Sequence, residues 1–350
     1  MKHMNTNEYI LVTGSSGLIG SRFIEHIINR NNLQLDESGF YPGIIGIDLE
    51  AYWGNHFPVS GVRNFKVDLA SDSAPEDLDK IFMEYPIKYV YHFAAYAAEI
   101  LSYFMRSFNY KNNIVATSNI FNACVKHGVE KLIYTSSMSV YGDCYPPYLE
   151  IQRPRPLDPY AISKAACEKD IEVSGKYFGL KWTIIRPHNV FGRNQNMNDT
   201  YRNVLGIWMH HIYDGDPITV YGDGEQTRCF TEVTNILEPL YRCMEDRNTD
   251  NQIINLGGIQ KYSINQIADM VLEVTGTTEK VYLEPRNEIK FCDVDPTKSI
   301  RMLDYKDNLS VYEGIENMWK WVQEKKPIGE WYQWNTFELD KGIYSYWKSK

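Results

Sequence analysis

The stretch Tyr9-Ile-Leu-Val-Thr-Gly14-Ser-Ser-Gly17-Leu-Ile-Gly20 decides how the rest of the chain is read. Its first half is a short apolar run ending in glycine, the pattern of a strand buried in a parallel sheet. After the three glycines, Ser21 to Arg30 places Phe23, Ile24, Ile27 and Ile28 at helical spacing. A strand, a glycine turn and a helix make half of a dinucleotide-binding unit. The backbone approaches a pyrophosphate closely there, and the helix N-terminus turns unpaired N–H groups toward the anion. Three glycines alone also fit an ordinary strand–helix turn, so the following strands carry the decision.

Gly43-Ile-Ile-Gly-Ile-Asp48 is a second apolar run, ending in an acid placed to hydrogen-bond ribose hydroxyls and to repel a 2′-phosphate. No arginine follows Asp48 closely, which favours NAD over NADP. Asn64-Phe-Lys-Val-Asp68-Leu69 is a third strand with its own terminal acid. A fourth, Lys88-Tyr-Val-Tyr-His92-Phe-Ala-Ala95, ends in small residues that admit a cofactor against the backbone. Strands alternating with helical stretches predict a parallel sheet. Lys131-Leu-Ile-Tyr-Thr-Ser136-Ser137 is a fifth strand, ending in hydroxyls, and Trp182 to Arg186 a sixth. Tyr160 and Lys164, four residues apart, share one helical face. An ammonium there is expected to pull the phenol pKa downward, and a serine hydroxyl from a neighbouring strand would complete a proton-transfer group. The same pair also fits a stacked surface contact.

Taken together, these segments resemble the extended short-chain dehydrogenase/reductase superfamily, in its nucleotide-sugar epimerase/dehydratase branch (UDP-glucose 4-epimerase-like). The matching pieces run in family order: Thr13 to Gly20, Asp48, Asp68-Leu69, His92 to Ala95, Asn113, Ser136-Ser137-Met-Ser-Val-Tyr141-Gly142, Tyr160-x-x-x-Lys164 and Arg186-Pro-His-Asn189-Val-Phe-Gly192. The resemblance implies an α/β Rossmann fold, a doubly wound parallel sheet, with a smaller, discontinuous α/β substrate-binding lid domain. The expected boundaries are 1–185 plus 233–257 for the NAD-binding domain and 186–232 plus 258–350 for the lid. It implies NAD contacts from Gly14, Ser16, Gly17, Leu18, Ile19, Gly20, Asp48, Asp68, Leu69, Ala94, Ala95, Asn113, Tyr160, Lys164 and Pro187. Ser137, Tyr160 and Lys164 would be catalytic. Ser137, Met138, Asn189, Asn203, Val204, Tyr221, Arg228 and Arg286 would meet the nucleotide sugar, the arginines clamping phosphates with their planar forks. One departure is visible: the family often follows its late arginine with Pro-Gly-Asp, whereas Arg286 is followed by Asn287, Glu288 and Ile289, with Glu288 a candidate for the ribose contact.

In this branch the shared step is oxidation at sugar C4, Tyr160 taking the hydroxyl proton while hydride moves to NAD and Ser137 bridges the two oxygens. The 4,6-dehydratases carry an Asp-Glu pair just after the serine position, where this chain has Met138 and Ser139. The glutamate of the decarboxylases is missing there, and Cys144 lies several residues too late to match the 3,5-epimerase cysteine. The simplest expectation is a 4-epimerase of UDP-hexose or UDP-N-acetylhexosamine. Glu99 complicates it, falling in the loop that faces the sugar, as a hydroxyl contact, a base at C3 or C5, or a solvent-facing carboxylate. A dehydratase or C3/C5 epimerase using Glu99 is therefore an alternative, and a non-catalytic NAD-binding scaffold a remoter one. Cys292 falls near a gatekeeper position where a small residue goes with 2-acetamido sugars.

Composition bounds the partners. The 350 residues carry 36 Lys+Arg against 45 Asp+Glu, a formal charge of −9, which argues against nucleic acid or anionic membranes as partners. No apolar run reaches the ~18–20 residues of a membrane span, and the start, Met1 to Asn7, is polar. Six scattered cysteines without a C-x-x-C pair read as free thiols of a cytoplasmic protein, and no histidine spacing suggests a metal site. Apolar faces after Asn113 (Ile114, Ile120, Phe121) and after Tyr160 go with the homodimer implied by the resemblance. Five of the eight tryptophans lie between Trp319 and Trp347, a tail expected to pack within the lid, with Trp319 and Trp321 in a helix.

Overall fold

In the computed structural model, residues 8–49, 58–286, 288–344 and 347 are described; Met1–Asn7 and Asn287 lie outside them. The six runs read as strands all enter one sheet, and Gln252–Leu256 adds a seventh at its edge. The order across the sheet is Gln252–Leu256, Lys181–Pro187, Lys131–Thr135, Ile87–His92, Tyr9–Thr13, Ile44–Asp48 and Arg63–Lys66, parallel throughout. The strand order reverses between Tyr9–Thr13 and Ile87–His92, and such a switch point opens a crevice beyond the carboxyl ends of the strands. Register fixes what meets there: Thr13 lies opposite both Ile47 and His92. The turn after Thr13, Asp48 and the Phe93–Ala95 segment therefore converge.

Alternation along each strand feeds two cores. Leu11, Val90 and Leu132 face a cluster that includes Leu78, Ile120, Phe121 and Ile171 from the helices Ala74–Glu84, Ala116–Lys126 and Pro159–Phe178. Ile10, Val12 and Ile133 face Phe23, Ile27, Ile236 and Leu240 from Leu18–Arg30 and Val233–Glu245. A third core joins Phe191, Leu205, Trp208 and Ile218 to Ile267, Ile315 and Trp321. Its helices begin where the sequence supplies caps: Ser263 with Gln266 and Ser310 with Glu313 form reciprocal capping boxes. Leu303 and Tyr305 pack beneath the main sheet instead of in this third core.

The tail divides. Trp319 and Trp321 stand on the helix Val311–Lys325, and Trp331 stacks on His210 with centroids 3.5 Å apart. Trp334 and Trp347 instead cross back to the segment after the fourth strand, against Phe108 (4.8 Å) and Phe104 (5.9 Å). A tail expected to serve the lid alone thus also touches the sheet-bearing half. Among the described residues no helix is long and apolar enough to cross a membrane, no His, Cys, Asp and Glu group could hold a metal ion, and all six cysteines are free.

Candidate active site

Gly14, at φ +66°, occupies a conformation that L side chains rarely adopt, and a Cβ there would stand 2.9 Å from the Ala94 amide nitrogen. A Cβ on Gly20 would stand 2.1 Å from the Gly14 carbonyl oxygen. The turn is thus closed against side chains, and Gly17 caps the helix Leu18–Arg30. Asp48 holds it to the second strand: its carboxylate accepts the Ser16 and Leu49 amides, each at 2.8 Å. The Ser16 hydroxyl is buried and has no hydrogen-bond partner among the described residues.

A cavity of about 1090 Å³ runs from this turn to the segments after the sixth strand. Gly14, Ser16 to Gly20, Asp48, Asp68, Leu69, Ala94 and Ala95 line it, as do Pro187, Ser137, Tyr160 and Lys164. So do Glu99, Asn189, Asn203, Val204, Tyr221, Arg228 and Arg286. Two expected residues do not. Asn113 is buried behind the wall, where its side chain accepts the Tyr96 amide (3.0 Å) and donates to Ser163 Oγ (3.1 Å), fastening the Tyr96 loop to the Tyr160 helix. Met138 packs among Val140, Tyr148 and Cys292. Cys292 is fully buried with its thiol 3.5 Å from the Met138 sulfur, and the charges of the cavity residues Arg228 and Glu99 reach it.

Tyr160 sits in the first turn of Pro159–Phe178, a helix started by Pro159 and by Asp158, whose carboxylate accepts the Ala161 amide at 2.8 Å. Ser137 Oγ accepts both the amide and the hydroxyl of Ser139, at 3.1 and 2.9 Å, and it lies close enough to the Tyr160 phenol to favour the phenolate. The expected depression of that phenol by Lys164 is not what the structure gives. Burial pushes the Tyr160 pKa up, Glu99 and Asp158 add to the rise, and only Ser137 and Arg202 oppose it. Lys164 donates to the Thr135 carbonyl at 2.8 Å and stands 6.0 Å from the Tyr160 ring centroid; burial lowers its own pKa to about 8. Desolvation of the phenolate therefore outweighs an ammonium held at that distance.

Glu99 opens into the cavity, and among the described residues no hydrogen-bond donor meets its carboxylate. Enclosure pushes its pKa up to about 7, helped by the charge of Asp158 and opposed by Arg228. Across the cavity, Asn189 (φ +35°) and Asn203 donate to the backbone carbonyls of Cys229 and Val190, and Asn203 caps the helix Val204–Asp214. The Arg286 guanidinium lies 3.4 Å from the Tyr221 ring centroid. Arg228 pairs with Glu288 at 2.7 Å, and Gln226 donates to the same carboxylate, so Glu288 holds the lid's own side chains. Arg202, Tyr332 and Trp334 also line the cavity and carried no signal of spacing or motif.

A glycine cradle at a sheet switch point beside a Ser/Tyr/Lys set defines a dinucleotide-dependent enzyme of the Rossmann class. Residues 10–257 match the NAD dependent epimerase/dehydratase family, and the chain belongs to it. It is 29% identical over 325 residues to the UDP-glucuronate 4-epimerase of Thermodesulfobacterium geofontis, covering 90% of this chain and 96% of that one. It is 27% identical over 328 residues to the UDP-N-acetyl-alpha-D-glucosaminuronate decarboxylase of Bacillus cytotoxicus, covering 90% and 97%. Among solved structures, the UDP-glucose 4-epimerase of Thermotoga maritima with UDP-glucose superposes with a TM-score of 0.82 at 26% identity, covering 91% and 99%. The family's cofactor is NAD, and this cradle fits it: a backbone surface that a Cβ would fill, an orphaned Ser16 hydroxyl and an acid at the second strand end.

Proposed function

We propose that the protein is a nucleotide-sugar 4-epimerase. One observation carries the reading: Ser137, Tyr160 and Lys164 line one cavity with the cofactor cradle, while the two side chains after Ser137 hold no acid or base. Met138 is in an apolar cluster, and the Ser139 hydroxyl is bound to Ser137. NAD, when bound, supplies a hydride acceptor for the sugar carbon and a positive charge. Burial alone keeps the Tyr160 phenol protonated, so the positive charge that NAD would bring has to join Lys164 in offsetting it before Tyr160 takes and returns the C4 hydroxyl proton; Ser137, whose acceptor capacity is filled by Ser139, turns its own proton toward the reacting oxygen. Lys164 keeps positive potential on that side of the site. Arg228 and Arg286 meet the diphosphate.

Glu99 supports a second reading, a base beside C4 that would enolise the 4-keto sugar toward C3 or C5 chemistry. Turnover of UDP-glucose and of UDP-glucuronate by the NAD-loaded protein in deuterated water, read on whichever is accepted, separates the two. A C4 epimer without solvent deuterium is expected; deuterium at C3 or C5, or loss of water, would establish the second. We further propose a homodimer through the Tyr160 helix, whose Ile162, Val173 and Phe178 are exposed.

A further inference from the structure

The guanidinium of Arg202 is held in place on one side only. Its Nε lies 3.0 Å from Oδ2 of Asp199, a carboxylate with 1% of its side chain exposed, in an ion pair whose N–H is not aligned for a hydrogen bond. That carboxylate also accepts the Tyr96 hydroxyl at 3.1 Å and the Tyr201 amide at 2.9 Å. The guanidinium carbon stands 4.7 Å from the Tyr96 ring centroid. Asp199 and Tyr96 therefore set its position and tilt, and about a third of the side chain (32%) is exposed, into the cavity. Among the described residues no protein acceptor meets the two terminal nitrogens. A fixed guanidinium with its outer edge open is a preformed receptor for a planar anion, which it grips with two parallel hydrogen bonds.

The site's location selects the anion. Tyr96 is fastened through Asn113 and Ser163 to the carbonyl of Tyr160 itself. Arg202 is thereby tied to the reacting end, and its charge is felt by the Tyr160 phenol. The other two arginines that line the cavity have partners of their own, Arg228 with Glu288 and Arg286 over Tyr221. Glu99 forms no ion pair with Arg202, and the charges it responds to are those of Asp158, Arg228 and Glu288. In a nucleotide sugar the diphosphate leaves from C1, across the ring from C4, whereas the carboxylate of a hexuronate is attached to C5, the neighbour of C4.

We infer that Arg202 binds a sugar carboxylate beside the reacting carbon, so that the substrates are nucleotide-linked hexuronates. The assignment rests on the reading of this cavity as a nucleotide-sugar site. It is tested by calorimetric titration of the NAD-loaded protein and of R202Q and R202K with UDP-glucuronate, UDP-glucose and UDP. The wild type is expected to bind UDP-glucuronate about tenfold or more tighter than UDP-glucose. R202Q should lose about 10- to 100-fold toward UDP-glucuronate, the worth of one charge-assisted pair, with little change toward UDP-glucose and UDP. R202K, which keeps a cation for Asp199 but not the fork, should retain part of the preference. Equal affinities of the wild type for the two sugars overturn the assignment. So does an equal loss toward both in R202K, which leaves Arg202 a structural partner of Asp199. A matching loss toward UDP alone assigns Arg202 to the diphosphate and overturns it equally. Failure of the wild type to bind any of the three removes the nucleotide-sugar reading itself.

Discussion

Replacing Glu99 by glutamine removes a carboxyl that enclosure in the cavity holds at a pKa of about 7 against an ordinary 4.5, with Asp158 adding to the rise and Arg228 opposing it. The folded protein binds this proton more tightly than the unfolded chain does. Below pH 4.5 both states carry it, and Glu99 costs nothing. As pH rises from 4.5 to 7 the unfolded chain ionises first, and the fold progressively loses stability; above 7 the loss is complete. The separation of the two values corresponds to about 3 kcal/mol at ~1.4 kcal/mol per pH unit. The side chain is open to the cavity's water, which screens the charge and leaves about 1–2 kcal/mol. For a chain of 350 residues that is about 1.5–3 °C in Tm.

The assay is thermal unfolding of wild type and Glu99→Gln between pH 5 and 8.5. The variant should gain little at the acid end and reach its full advantage above pH 7, while its turnover falls. A group that destabilises the fold and is still present belongs to the ligand's requirements. A Tm difference that stays constant across the range, or a variant less stable than wild type at pH 8, would refute the reasoning, because either result means the carboxylate is already paired in the folded protein.

Tyr160→Phe should lower turnover by about 10²–10⁴-fold while NAD still co-purifies, read by absorbance of the released cofactor. Gly20→Ala, whose Cβ would meet the Gly14 carbonyl at 2.1 Å, should deform the cradle and abolish NAD retention. Arg186 and Glu168 form a buried ion pair at 2.6 Å between the sixth strand and the Tyr160 helix. Arg186→Met should therefore destabilise by about 3–5 kcal/mol, and Arg186→Met with Glu168→Leu should recover much of the loss in a denaturant titration. Val173→Glu, on an exposed position of the same helix, should give a monomer by light scattering where the wild type gives a dimer; a monomeric wild type would remove the dimer proposal.

What was legible in the sequence was whatever is written locally. The apolar runs and glycine turn placed six strands of the sheet, and helical spacing put Tyr160 and Lys164 on one face. Asn113 shows the limit of a motif: its position in the chain was read as a cofactor contact, yet its carboxamide is filled by Tyr96 and Ser163. Glu288 shows another, since a carboxylate near the expected ribose-binding place is satisfied by Arg228 and Gln226. The Tyr160 pKa was misjudged because spacing reports proximity but not desolvation. Arg202 and Trp334 were unreadable for a different reason. Their roles arise from contacts with Tyr96, more than a hundred residues earlier, and no periodicity records a pairing at that range.

The net charge of −9 acquires a local meaning from these contacts. An acidic chain that takes up dianionic ligands has to hold cations where the anions arrive, and to keep its own carboxylates from neutralising them there. Glu288 already occupies Arg228, so that arginine offers a phosphate only part of its donor set. Arg202 differs in geometry: its counter-ion Asp199 is buried beside Nε, and among the described residues no acceptor meets the outer edge. Asp199 thus orients the arginine without covering the edge that binds. The cavity then presents Tyr160 with a cation, Arg202, and with a carboxyl, Glu99, that meets no hydrogen-bond donor among the described residues, and a sugar bearing both an acid and free hydroxyls satisfies the two at once.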